Sequence, residues 1–195
     1  PGTRTALNLV GVNKSDVKPG DFLTTPKTLQ VSDRFDAQFT YIPVLSAKKP
    51  LESGLRVHIA HGTREVVGRV LFMNGQSTLE PNETAFAQIR LNEPLPVSRG
   101  DHFIVRLLSP SRVIGGGTIL NARPKRRTTL NENDSNLLTA LARNDEAEIC
   151  TAIIDSSTTP VSLTEIKQIT GLSSKRIGQL LSEQTTGKGK PRYVQ

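Results

Sequence analysis

Near residue 121 the apolar residues of this chain change their spacing from every second position to a helical repeat, and no single regular layer accommodates both. Before the switch, alternating runs at 35–41, 55–59, 66–72, 84–91, 102–108 and 112–120 each turn one face to a core and the other to solvent. Turn chemistry separates them: Pro81 with Asn82, Pro94-Leu95-Pro96 and Arg99-Gly100-Asp101 supply the fixed or unusual φ values that chain reversal needs. Six such runs suffice to close a β-barrel, so residues 31–122 are expected to form one. An earlier run at 5–10 also alternates, ends at Gly11, and is followed by a turn at 17–21 and the apolar Phe22 and Leu23; residues 1–30 therefore read as the last part of a separate β unit.

After the switch, residues 123–131 open with Arg123-Pro124-Lys125-Arg126-Arg127 and read as a basic linker. Leu137, Leu138, Ala140 and Leu141 then share a helical face within 133–143, and Asp145 is placed to cap a second helix carrying Ile149, Ile153 and Ile154. A polar break at 156–160 ends it. Ser162 and Glu165 form the pattern of a capping box before Ile166 and Ile169, and Gly171 stands where a left-handed helix stop belongs. Another helix begins at once after Ser173, with Ile177, Leu180 and Leu181 on its apolar face; the pair is helix-turn-helix in pattern. Residues 187–194, GKGKPRYV, read as a short basic wing, so 132–195 is expected to be a winged-helix domain and the whole chain mainly β followed by α+β.

The function classes this leaves are narrow. No window approaches the roughly 18 consecutive apolar residues of a membrane helix, and the single cysteine, Cys150, can neither close an internal disulfide nor bind zinc alone; a reducing cytoplasm fits. The chain opens at Pro1 and its only methionine is Met73, which reads as a stretch of a longer product. Asn13-Lys14-Ser15-Asp16 matches the N-K-x-D signature with which GTPases read guanine, yet the glycine-rich phosphate cradle G-x-x-x-x-G-K-[ST] that such chemistry requires is not in the sequence, so the match reads as a turn. Gly115-Gly116-Gly117 precedes a strand rather than a helix N-terminus and reads as a bulge or a close backbone approach. His58 and His61 are three apart on a strand and point to opposite faces, which makes shared metal coordination poor; no metal site and no catalytic residue are expected.

A net charge of +7, spread along the chain, favours a polyanionic partner. Cations and hydroxyls at His61, Thr63 and Arg64 fall in a turn between two strands, and Arg90 and Arg112 are positioned in sequence to join them on one barrel surface that meets RNA backbone. The helical part adds Arg126, Arg127, Lys175, Arg176, Lys188, Lys190 and Arg192 as backbone contacts, with the second helix of the pair free to enter a groove.

Three stretches then carry a family resemblance. ALNLVGV at 6–12 with VKPGDFL at 17–23 resembles the end of domain II in translational GTPases of the elongation factor Tu type. HGTREVVGRV at 61–70 resembles the H-G-T-x-E-V-x-[GA]-R-[VL] segment of the selenocysteine-specific elongation factors, the SelB family. RGDHFIVR at 99–106 with SPSRVIGGG at 109–117 is similar to a further stretch of that family, departing from it at Val113. The resemblance implies the end of domain II at 1–30, the domain III barrel at 31–122 and the first winged helix of the C-terminal extension. It also implies tRNA contacts at His61, Thr63, Arg64, Arg90 and Arg112. For the whole factor it implies GTP and Mg in a GTPase domain outside these residues, with selenocysteinyl-tRNA, the ribosome and, through later winged helices, an mRNA hairpin as partners of a cytoplasmic monomer. By the same resemblance the first winged helix is more a spacer than the hairpin reader. A winged-helix DNA-binding regulator with a β sensor or dimerisation domain is the alternative reading, and a GTP-binding enzyme, resting on residues 13–16 alone, is a third.

Overall fold

The computed structural model describes residues 3, 5–24, 30–42, 49–157 and 159–185. Its strands are β1 (Gln30–Tyr41), β2 (Leu51–Glu52), β3 (Arg56–His61), β4 (Arg64–Phe72), β5 (Thr78–Leu79), β6 (Thr84–Val97), β7 (His102–Leu107) and β8 (Val113–Asn121). Six of them close an antiparallel barrel in the order β1-β6-β4-β3-β7-β8, while β2 and β5 pair as a small separate ribbon. The alternation seen in the sequence sets the inward face: Phe35, Ala37 and Phe39 of β1, Val57 and Ile59 of β3, Val70 of β4, Ala87 and Ile89 of β6, and Val105 of β7 are all fully buried. Phe103 meets Phe35 edge-on with ring centroids 5.2 Å apart, which fills the interior with one aromatic pair in a favoured geometry. Burying such rings supplies most of the drive for closure, and closure removes the edges at which a sheet would otherwise pair with another chain.

The glycine run in β8 is explained by proximity. At Gly117 an added Cβ would collide with the carbonyl oxygen of Gln38 on β1, and at Gly116 it would come within 2.5 Å of the Phe103 carbonyl oxygen on β7. The strand is thus squeezed between two neighbours, as the close-approach reading expects.

Two expectations about the β part need correcting. Pro94-Leu95-Pro96 is not a turn; it continues β6, with Leu95 opposite Ser32 and Pro96 opposite Val31. The prolines are tolerated because β4 pairs with β6 only as far as Leu91, leaving this end of the strand with one neighbour and a register shift near Asp33. Nor is 5–10 a strand: among the described residues of 1–24 the regular structure is a 3-10 turn, Lys14–Asp16, and Leu7 and Val10 are 64% and 90% exposed. An alternating segment becomes a strand only where a neighbour completes its hydrogen bonds, and the closed barrel offers no edge.

Four helices follow: α1 (Glu132–Arg143), α2 (Glu146–Ser156), α3 (Leu163–Thr170) and α4 (Ser174–Thr185). Their ends are set by local chemistry. Asn131 accepts from the Asp134 amide and Asp145 from the amides of Ala147 and Glu148. Ser162 and Glu165 form a complete capping box, and Gly171 stops α3 at φ 73°. The box and the donated Ser162 bonds also hold the Glu165 carboxyl below its ordinary range. Leu138, Leu141, Ile149, Ile153, Ile166 and Ile177 make a second core, and Met73 and Leu120 of the barrel belong to it. The helices therefore pack on the barrel wall rather than swinging free of it. Arg99 fastens the junction, donating to the Leu141 and Thr170 carbonyls at the ends of α1 and α3 and to Asn144 Oδ1 at 2.7 Å; a cation suits these carbonyl-rich helix ends. The wing expected at 187–194, with Lys188, Lys190 and Arg192, lies outside the described residues.

Candidate nucleic-acid interface

The turn between β3 and β4 is a two-residue loop with His61 paired to Arg64 across it. Gly62 takes the first loop position at φ 58°, the placement that tight hairpin turns reserve for glycine. Beneath it lies the ring of Phe22, 2.9 Å from where a Cβ would stand. Phe22 also stacks on His61, with centroids 5.5 Å apart and planes 13° apart. His61 Nε2 sits 3.0 Å from Asp101 Oδ2, an oxygen that also accepts from the Ser98 amide. The imidazole is only 5% exposed, so His61 is not a group held out to a ligand, contrary to the expectation from sequence. It anchors the turn from below. What the turn presents is the exposed Thr63 and the half-exposed Arg64, whose guanidinium lies 3.3 Å from Glu93 and 3.9 Å from Asp21.

Arg112 does not join this surface. β7 runs antiparallel to β3 with Leu107 opposite Val57, so the loop carrying the exposed Arg112 opens at the far rim of the barrel. Val57 and His61 are four residues apart along β3, about 13 Å at strand rise, and Arg112 lies further still. Arg90 sits on the side wall, opposite Arg34 and Arg69, where its Nε donates to Gln88 Oε1 at 2.9 Å and an Nη to the Arg127 carbonyl. The three arginines expected on one patch thus occupy one rim, the wall and the other rim. Alternation places a residue inside or outside, but position around and along the barrel follows from pairing.

Arg127 also departs from expectation. It is 16% exposed and bridges Asp36, which is fully buried, at 3.2 Å and Asp134 of α1. Gln88 Nε2 donates to Asp36 Oδ1 and to the Lys125 carbonyl, both at 3.0 Å. This polar knot ties linker, barrel and helices together and holds the Arg127 guanidinium inside it rather than out toward phosphate. Burial pushes the Asp36 carboxyl up to about 6, against the opposing pull of Gln88 and Arg127. Arg126 points to solvent instead. On α4, Lys175 is exposed, whereas Arg176 Nε is held 2.8 Å from Glu146 of α2.

Sequence reasoning assigned no bonding role to Asp36, Gln88 or Asp101. All three occupy positions that alternation assigns to the outside or to a turn; the linker laid over Asp36 and Gln88, and His61 beside Asp101, make them structural.

Neither residues 13–16 nor residues 115–117 fit a guanine nucleotide. Asn13 to Asp16 form an exposed turn closed on itself, the Asn13 amide donating to Asp16 Oδ2 at 3.1 Å, and Gly115 to Gly117 are wedged inside a sheet. Among the described residues no group of three or more His, Cys, Asp or Glu side chains is placed to hold a metal ion, and no helix is long and apolar enough to cross a membrane. Cys150 is buried in the helical core, which pushes its thiol up.

Comparison with known proteins bears on what such a barrel belongs to. Residues 40–126 match the family model described as the selenocysteine-specific elongation factor, β-barrel domain. The chain is 31% identical over 180 residues to the selenocysteine-specific elongation factor of Desulfomicrobium baculatum and 30% identical over 174 residues to that of Haemophilus influenzae. Those alignments take in 92% and 88% of this chain but 28% and 27% of the relatives' lengths, so it spans rather more than a quarter of such a protein. The barrel seen here is the domain that the family model describes, and over the stretch it spans the chain is similar to selenocysteine-specific elongation factors.

Proposed function

We propose that this chain is the part of a selenocysteine-specific elongation factor that positions selenocysteinyl-tRNA, in a factor that delivers it to the ribosome at recoded UGA codons with GTP and Mg held elsewhere. The β-barrel contacts the tRNA backbone, and the helices, as the start of a winged-helix extension, form an arm toward the mRNA hairpin. The barrel is not itself catalytic. The single observation that carries the tRNA part is the rim turn: Thr63 and Arg64 are presented on a hairpin held rigid from below by His61, Phe22 and Asp101. Presentation of a hydroxyl and a guanidinium on a fixed turn suits backbone contact, because little loop freedom remains to be lost on binding.

The experiment is a titration of the chain with selenocysteine tRNA, an elongator tRNA and a DNA duplex at low and moderate salt. Preference for selenocysteine tRNA that falls in Arg64→Ala supports the reading and locates the contact at this rim; a fall in Arg112→Ala instead moves it to the far rim. Equal binding to all three polyanions, unaffected by either change, rejects it.

A further inference from the structure

Away from the rim turn, the register of the barrel lines up four arginines. Arg34 stands directly opposite Arg90, Arg90 opposite Arg69, and Arg69 opposite Arg56, across β1, β6, β4 and β3 in turn. All four point outward, since they alternate with the inward Phe35, Ile89, Val70 and Val57. Strands about 4.8 Å apart make this a row about 14 Å long. Arg126, exposed on the linker, lies close enough that its charge, with that of Arg34, adds to burial in lowering the Arg90 pKa.

The row is poorly neutralised. Arg34 is paired bidentately with Asp33 at 2.9 and 3.0 Å. Arg90 reaches only neutral oxygens, Arg69 donates to the Gly54 carbonyl at 2.8 Å, and Arg56 has no bonded partner among the described residues. Like charges placed directly opposite on a sheet weaken it. Three such contacts in succession oppose folding, and nothing inside the barrel requires them. A polyanion laid along the row would remove that repulsion, and guanidinium forks match phosphate oxygens in a way that ammonium groups do not.

We infer that this arginine row is a second RNA-binding surface, separate from the rim turn, which grips the phosphodiester backbone of a base-paired RNA segment without reading its sequence. No aromatic side chain stands in the row to stack an unpaired base, which favours backbone over base contact. A single line of cations with no apolar fringe is unlike a membrane-docking face, and a closed barrel has no edge to which an acidic peptide adds as a strand. The choice of RNA among polyanions rests on the function proposed above; the row does not.

The test uses the whole 195-residue chain and a labelled, fully paired RNA hairpin titrated at several salt concentrations. Arg56 and Arg69 are exposed, so the double variant Arg56→Glu/Arg69→Glu is compared with the unaltered chain and with Arg56→Lys/Arg69→Lys after unfolding curves show that each is folded. The expected result is a loss of at least about tenfold in affinity for the glutamate variant, with a salt slope shallower by about 2, and a much smaller loss for the lysine variant. Affinity and slope within twofold of the unaltered chain would overturn the inference. So would equally tight, row-dependent binding to phosphatidylserine vesicles or polyglutamate. Loss of preference for selenocysteine tRNA in the earlier titration, with row-dependent hairpin binding intact, would count against the proposed function and leave the row standing.

Discussion

On the outer wall of the barrel, the row through Asp36 and Gln88 and the row through Arg34 and Arg90 are neighbours on the same two strands, two residues apart, yet the chain treats them in opposite ways. The first is covered by the linker: Asp36 is fully buried, and Gln88 and Arg127 meet its oxygens. The second is left largely open, with one aspartate for four arginines. Both rows disfavour folding when unpartnered. The covered row finds charged partners within the chain and fastens the two cores together, whereas the open row finds one carboxylate and otherwise neutral oxygens, which is why it reads as a surface for something else. A charged side chain on a barrel wall is thus structural or functional according to what lies over it.

Breaking the covered row should have the largest effect. Arg127→Ala strands a buried carboxylate and removes the tie to Asp134, and a loss of about 3 kcal/mol in denaturant unfolding is expected; a loss below about 1 kcal/mol would mean that water or Gln88 alone satisfies Asp36. Next comes the helix junction. Arg99→Ala removes the donors to Leu141, Thr170 and Asn144, with about 1–2 kcal/mol lost and earlier hydrogen exchange in α1 and α3 than in the barrel strands as the expected signature.

The pH dependence then sharpens the contrast between the rows. With the folded Asp36 carboxyl at about 6 and its unfolded value near 4, the folded state binds the proton more tightly. Its favourable contribution is complete below about pH 4 and is lost as pH rises to about 6, flattening above that. Asp36→Asn should abolish this slope, read as denaturation midpoints across pH. The open row contains no group that titrates in the window, so Arg56→Thr should leave the slope unchanged. The smallest effect is on the open row itself: Arg56→Thr relieves one like-charged contact and is expected to gain about 0.5 kcal/mol at low salt, a gain that shrinks as salt screens the row.

Much of this was legible before the fold was known, for identifiable reasons. The inward positions of β1, β3, β4, β6 and β7 follow from alternation, and the starts of α2 and α3 and the stop of α3 from Asp145, Ser162 and Gly171, because caps and pleats act over four residues or fewer. Misreadings arose where a non-local partner decides the outcome. Residues 5–10 alternate but have no ladder to join; Pro94 and Pro96 resemble a turn but sit where β6 has one neighbour; His61 looks like a presented ligand but lies under Phe22 and beside Asp101. At the candidate site, the place of Thr63 and Arg64 in a turn between two strands was legible, while the grouping of Arg64, Arg90 and Arg112 failed, because strand direction carries Arg112 to the other rim.

Local pattern alone sets the period switch at residue 121, the phase of each strand, the helix caps and the motifs that resemble selenocysteine-specific elongation factors. Those are local properties, written within a few residues of one another. Which outward arginines stand alone, which is buried against Asp36, and which four fall into one line were decided only by the tertiary structure. Register and the path of the linker bring together residues up to 91 positions apart, as in Asp36 with Arg127, and no local pattern encodes that meeting.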